Sequence, residues 1–326
     1  MRSTSDQISP RQLGALALTA AGLPIFRLCC RISWPWVLLG GLAAAGTLSA
    51  LTAAINRQRK AFPLRTELSG GQRDFIPSCA ALPRKWVPQP RCPSAHTGPD
   101  EVVYDRRNSQ RLLPALAPIF LAGAFIAAWE SSFSFPETAG KLPAAALVLA
   151  LSAAAAYGGP AAAGRCASIL LWVTGGLYGT VLVFSLPELR SEWLVPAGEP
   201  LDAGKVWAAL TLPGAALCLA PALPGERRLP HWPWWAGAAL AAAASVVTGG
   251  ILSPALARDP EAFRALARGV SVLGVIRRFE ALVNGAMLMS GFALCTLYLV
   301  VFSSVSGIYR GLEKVQKKFE KTQKKC

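Results

Sequence analysis

Long stretches of this 326-residue chain carry no charged side chain, and this feature most constrains its fold. A helix crosses the hydrocarbon core of a bilayer with about 20 apolar residues. Eight uncharged, mostly apolar runs approach or exceed that length: Gln12–Phe26, Ile32–Ile55, Leu112–Trp129, Leu142–Gly164, Cys166–Pro187, Val206–Gly225, Trp232–Ala257 and Ala281–Tyr309. The sequence therefore predicts an all-α integral membrane protein with about eight transmembrane helices.

Composition excludes the main soluble classes. Hydrophobic residues make up 53% of the chain and charged residues only 16%, against about 25% charged residues in soluble domains. Intrinsic disorder requires low hydrophobicity, and eight cysteines are too sparse for a disulfide scaffold. The net charge of +15 lies in loops and at the C-terminus, between the apolar runs, so we expect its partner to be anionic lipid and not nucleic acid.

The distribution of Lys and Arg predicts how the chain is oriented. With eight spans, 23 of these residues fall on the side that holds both termini and 10 on the other. Because basic loops stay in the cytoplasm, both termini are predicted to be cytoplasmic. Ser9 and Pro10 suit an N-cap and a first helical position, which would lengthen the first span. A secretory signal peptide is the alternative for that first run.

Four regions follow from this division. Residues 1–55 hold the first two spans, and residues 112–309 hold spans three to eight. Residues 56–111 contain seven Pro and eleven Lys or Arg, which predicts a polar and largely irregular cytoplasmic loop that is disordered. Residues 310–326 contain seven basic residues with apolar residues at helical spacing, which suits a basic amphipathic tail on an anionic leaflet, or a solvated tail.

The outer segment 259–280 is charged at both ends but carries an apolar stripe. Phe263, Leu266, Val270 and Leu273 recur at helical spacing. We expect a helical loop that packs across the mouth of the bundle, with or without a gating role.

Two spans combine Pro and Gly near their middle and supply the candidate ligand site. They are Gly22-Leu23-Pro24 in the first span and Pro213-Gly214 in the sixth. Pro removes a backbone donor, and broken helices at corresponding positions of two halves mark the binding sites of many transporters. We predict unwound turns that present backbone groups to a ligand, with simple packing kinks as the alternative.

Polar residues at membrane depth add two candidates to this site. Glu130 ends the third span and Asn284 lies in the eighth. Such residues mark ligand pathways in many membrane proteins, although a carboxylate at the headgroup level or an Asn bonded to a neighbouring helix is an equally simple interpretation.

Motifs for catalysis and metal binding are lacking. The chain has only two His, and Cys79, Cys92 and His96 have neither a fourth ligand nor a zinc-like spacing. No phosphate-binding loop, nucleophile elbow or HExxH run occurs in the sequence. We therefore predict no enzymatic activity, no metal and no cofactor.

Five short motifs, in order, resemble the spore germination permease family of germinant receptor subunits, within the amino acid–polyamine–organocation transporter superfamily. They are Ile8–Leu13, Ser134–Thr138, Tyr157–Arg165, Leu186–Pro196 and Ala267–Glu280, within roughly residues 8–55 and 112–305. The resemblance implies a LeuT-like inverted-repeat bundle. That family has ten spans, so eight leave the second repeat incomplete, and residues 56–111 do not resemble its inner loop; frameshift or gene decay is one explanation.

The resemblance also implies a function. A nutrient, such as an amino acid, would bind between spans one and six in a bacterial cell membrane or spore inner membrane. The partners would be the other germinant receptor subunits. A solute permease of the same superfamily and a degenerate membrane protein without a ligand remain as alternatives.

Overall fold

The structure is a computed structural model that describes residues 8–61, 106–132, 138–194, 201–218, 229–252, 256–259, 261–269 and 279–306. The polar loop, except for the helix ends at 56–61 and 106–111, and the tail at 310–326 lie outside these residues, so the disordered loop and the amphipathic tail stay predictions.

Helices dominate the described part of the chain, which contains no strand. Nine α-helices follow one another there: α1 (Pro10–Leu28), α2 (Trp34–Ala61), α3 (Arg106–Ser132), α4 (Thr138–Tyr157), α5 (Pro160–Ser185), α6 (Leu201–Cys218), α7 (Trp232–Ile251), α8 (Ala262–Gly269) and α9 (Phe279–Ser306). Eight of them correspond to the predicted spans, and α8 to the predicted outer helix.

Six described helices are long and apolar enough to cross a membrane, namely α1, α2, α4, α5, α7 and α9. Large apolar side chains also cover the outside of the bundle; Leu142 is 72% exposed and Trp172 is 84% exposed. Such a surface is unfavourable in water but suits lipid. The chain is thus an all-α protein of the multi-pass membrane class, while the number of eight spans stays a prediction.

Local sequence signals explain where several helices begin. Ser9 accepts a hydrogen bond from the backbone N–H of Gln12, and the Gln12 side chain accepts one from the N–H of Ser9. This capping box, with Pro10 in the first turn, confirms the predicted start of α1.

The predicted end of the seventh span is wrong, because α7 ends at Ile251 and not at Ala257, and the predicted end of the fourth span is wrong too. The fourth span was expected to run from Leu142 to Gly164, but the chain turns at Gly158 and Gly159, and α5 begins at Pro160. Gly159 has a φ of 88°, which glycine adopts without strain, and proline favours the first turn of a new helix. The four residues after the turn, 161–164, are also uncharged. A division of the sequence at its charged residues therefore could not detect the turn.

The expectation of unwound turns is also wrong. Helix α1 continues through Pro24, and α6 continues through Pro213. A proline inside a helix removes one hydrogen bond and crowds the carbonyl four residues earlier, yet the turns on either side keep their own bonds. Both prolines therefore lie within continuous helices.

Helix α1 occupies the centre of the bundle. Helices α3, α4 and α9 pack together on one side of it, and α2, α6 and α7 pack together on the other. α1 packs against α9 and α5 as well as α7 and α6, so it contacts both groups.

Contacts between glycines and their neighbours show in which direction the helices run relative to one another. Gly14 meets Trp232 and Gly237 meets Leu18, so α1 and α7 run parallel. Gly123 of α3 meets Tyr298 of α9. Ser131, which comes later in α3, meets Gly291, which comes earlier in α9, so α3 and α9 run antiparallel. These directions agree with helices that cross a membrane alternately. They place the C-terminal ends of α1 and α3 beside the N-terminal end of α9.

Candidate functional site

A buried polar contact lies beside Gly22, the first predicted site residue. The hydroxyl groups of Tyr178 in α5 and Ser290 in α9 are 3.2 Å apart. A Cβ atom on Gly22 would lie 2.8 Å from the Ser290 oxygen and 3.6 Å from the Tyr178 ring. Glycine is needed at this position because α1 comes so close to α9 that no side chain fits.

The ring of Tyr178 packs with two phenylalanine rings, and Phe263 of these lies on α8. The ring centroids of Phe26 and Tyr178 are 3.8 Å apart, and those of Phe26 and Phe263 are 4.4 Å apart. Phe263 and Leu266 are both buried, as their spacing in the sequence predicted. The segment predicted to be helical thus contains a helix over Ala262–Gly269, and α8 covers the end of the bundle that we call the mouth; its predicted outward location stays a prediction. Val270 and Leu273 lie outside the described residues.

Glu130 belongs to an ion pair at the mouth. Its carboxylate lies 3.0 Å from the guanidinium of Arg27, and its backbone carbonyl accepts a hydrogen bond from the same group. The pair joins the C-terminal end of α1 to that of α3. Arg27 follows Gly22-Leu23-Pro24 by less than one helical turn, so Glu130 is held near that motif.

Pro213 and Gly214 line a small cavity between α1, α2, α6 and α7. Its volume is about 20 Å³, which is room for one water molecule, and every residue that lines it is apolar or glycine. Ala17 and Ala21 of α1 line it together with Leu48 of α2 and Trp234 of α7. A free amino acid does not fit in this space.

The two Pro-Gly motifs face different neighbours. A side chain at Gly22 would meet α9 and α5, whereas one at Gly214 would meet Leu48 of α2 at 2.5 Å and Trp234 of α7 at 3.1 Å. Leu23 is buried, and Pro24 is partly buried. In this conformation α1 separates the two halves of the predicted site.

Asn284 carries an unsatisfied polar atom. Its Oδ1 is buried and accepts no hydrogen bond within the described part of the chain. Asn284 precedes Gly291 by seven residues, which places both on one face of α9, the face where Gly291 meets Ser131 of α3. The seven residues correspond to about 10 Å along the helix, towards the mouth.

Sequence reasoning missed Tyr178, Arg27 and Ser290 as members of this site. Arg27 and Glu130 are 103 residues apart, and their pairing had one usable signal. Each is a charged residue that directly follows an apolar run. If the helices cross the membrane alternately, the ends of the first and third runs lie on the same side. Tyr178 sits in a glycine-rich stretch of α5, a pattern that by itself indicates only helix packing.

No three His, Cys, Asp or Glu side chains group as a metal site would require in the part of the chain that the structure describes. Comparison with known proteins adds no identity. No protein-family model matches the chain, and no curated protein matches it.

Proposed function

We propose that this protein is the permease-like membrane subunit of a spore germinant receptor and that it senses a small nutrient such as an amino acid. The five ordered motifs that resemble that family support the family part of the proposal. The multi-pass helical bundle is compatible with it.

The central position of α1 carries the mechanistic part of the proposal. Gly14 packs against Trp232 of one helix group, and Gly22 packs against Ser290 of the other. These contacts are so close that no flexible side chain lies between the helices. A shift of either helix group therefore also moves α1. A ligand that binds better to one arrangement would shift the bundle towards it, and partner subunits would detect the change.

The small cavity fits a resting state in this proposal. With about 20 Å³ beside Gly214, a nutrient has to separate α1 from α6 or from α9 before it binds. The binding energy would then drive the rearrangement that the receptor reports. By the same proposal, both termini are cytoplasmic and the mouth faces outward.

Charge supports this orientation. Over the full sequence and with eight spans, 23 Lys and Arg residues fall on the side that holds both termini, and 10 fall on the side of the mouth. Basic ends favour the cytoplasmic side.

The test uses spores and vesicles with the whole protein. Spores that carry the protein should lose optical density in response to at least one amino acid of a full panel, and spores that lack its gene should not. Flux of the same amino acid into proteoliposomes distinguishes the second candidate, a permease, which the central α1 between two helix groups also suits. A protein that neither responds nor transports would refute both.

A further inference from the structure

Three arginines and two glutamates meet at the mouth, under and beside α8. Arg27 pairs with Glu130 at 3.0 Å, and Arg264 pairs with Glu261 at 2.8 Å. The charges of Arg31, Arg264 and Glu261 all act on the guanidinium of Arg27. Among these five side chains the cations outnumber the carboxylates by one.

Exposure differs between the partners of each pair. The Arg27 side chain is 21% exposed and that of Glu130 is 41% exposed. The contrast is larger for Arg264, which is 7% exposed, and Glu261, which is 49% exposed. The structure therefore holds the cations in place, while water reaches the carboxylates. Glu130, as the more exposed partner, exchanges the ion pair for water more readily than the better-buried guanidinium does.

Buried aromatic side chains neighbour these arginines along α1 and α8. Phe26 precedes Arg27 and Phe263 precedes Arg264, and the two phenylalanine rings are 4.4 Å apart. Low polarity on one side of a charge strengthens its interaction with a counter-ion. A guanidinium also offers two parallel N–H groups that match the two oxygens of a carboxylate.

We infer that the mouth binds the carboxylate group of a small organic acid, which replaces Glu130 on the guanidinium of Arg27. Glu130 then acts as an internal competitor that keeps Arg27 paired when no acid is present. The inference rests on the proposed function in taking the mouth as the outward side and the acid bound there as the nutrient.

The experiment measures binding of benzoate to the purified full-length protein in detergent by saturation-transfer NMR. Benzyl alcohol, which has the same ring without the charge, is the control ligand. Wild-type protein should bind benzoate and show little or no binding of benzyl alcohol. Arg27→Gln should weaken benzoate binding about 10-fold or more, because a charge-assisted hydrogen bond is lost. Arg27→Lys should fall between the two, because it keeps the charge without the fork.

The decisive variant is Glu130→Gln, which removes the competitor and should tighten benzoate binding several-fold. A role of Glu130 in structure alone predicts unchanged or weaker binding. Arg268→Gln is the matched control, since Arg268 lies on α8 but pairs with Glu280 and is 60% exposed, and it should leave the affinity unchanged.

Three results would overturn the inference: no benzoate binding, equal binding of benzyl alcohol, or Glu130→Gln binding benzoate no more tightly than wild type. If Arg27→Gln is not recovered as a folded protein, the Glu130→Gln comparison decides alone. Failure here leaves the germination response untouched, and failure of the germination response leaves benzoate binding to be measured separately.

Discussion

The hydroxyl oxygens of Tyr178 and Ser290 lie 3.2 Å apart, and both side chains are almost completely buried. The contact joins α5 to α9 at the level where Gly22 brings α1 closest to α9. A polar group inside a membrane bundle needs a partner, because neither lipid nor neighbouring apolar side chains accept its hydrogen. This pair therefore fixes how three helices meet below α8.

Tyr178→Phe and Ser290→Ala should each lower stability, and the double variant should lose less than their sum. Hydrogen bonds between membrane helices contribute about 0.6–1.7 kcal/mol in double-mutant cycles. Unfolding of the four proteins in mixed micelles gives the coupling energy. A coupling energy of zero would show that the two hydroxyl groups do not stabilise each other.

Gly291→Ala and Gly285→Ala should change stability in opposite directions, although both lie in α9. A Cβ on Gly291 collides with the Cβ of Ser131 in α3, whereas one on Gly285 meets open space. At the open position, alanine should stabilise the helix by about 0.5–1 kcal/mol, because glycine is the more flexible residue. At Gly291 the collision should outweigh this gain.

Thermal unfolding in one detergent compares the two α9 variants directly. Equal shifts of both melting temperatures would mean that α3 does not approach α9 as closely as described.

Single-cysteine labelling tests the orientation on one helix. Arg165 and Glu188 are exposed near opposite ends of α5. In a chain whose eight native cysteines are replaced, a membrane-impermeant maleimide added outside intact cells should label Glu188→Cys but not Arg165→Cys. Opening the cells should make both positions reactive. Labelling of position 165 in intact cells would reverse the predicted orientation.

Gly237→Ala and Gly214→Ala probe the cavity between α1, α2, α6 and α7, which both glycines line. A Cβ on Gly237 would lie 3.8 Å from Leu18, an ordinary contact, while one on Gly214 would lie 2.5 Å from Leu48. Gly237→Ala should raise the free energy of unfolding by about 0.5–1 kcal/mol. Gly214→Ala should lower it, since a packed neighbour must move. Stabilisation by both would show that the cavity is wider than described.

The helices were predictable because their signals are local. Charge-free runs located eight of them, and Ser9 with Pro10 gave the start of α1 correctly. The turn at Gly159 was missed because it interrupts an apolar run without adding a charge. Pro24 and Pro213 were overinterpreted, because a proline in sequence does not reveal whether the remaining hydrogen bonds hold the helix together.

The site was less predictable because its contacts join distant residues. Gly22 was a candidate from the start, but its partners Tyr178 and Ser290 follow from how α5 and α9 pack, which no local pattern encodes. Glu130 was recognised as unusual, whereas its pairing with Arg27 required knowing that the ends of α1 and α3 meet.

Asn284 provides the sharpest test of a functional role. Its buried Oδ1 accepts no hydrogen bond within the described part of the chain. An unsatisfied buried polar atom costs about 1–3 kcal/mol, so a residue kept only for structure would be expected to have a partner. Asn284→Leu, which is similar in volume and apolar, should therefore stabilise the protein without ligand.

If Asn284 is retained to bind the nutrient, the same variant should weaken the germination response by about 10-fold or more, as loss of a ligand hydrogen bond implies. Leu288→Met, one turn further along the same face of α9, is the control and should change neither quantity much. Unfolding in micelles and the dose response of spores to the active amino acid measure the two effects. A stabilised protein with an unchanged dose response would remove Asn284 from the binding site, and a destabilised one would mean that the amide has a structural partner.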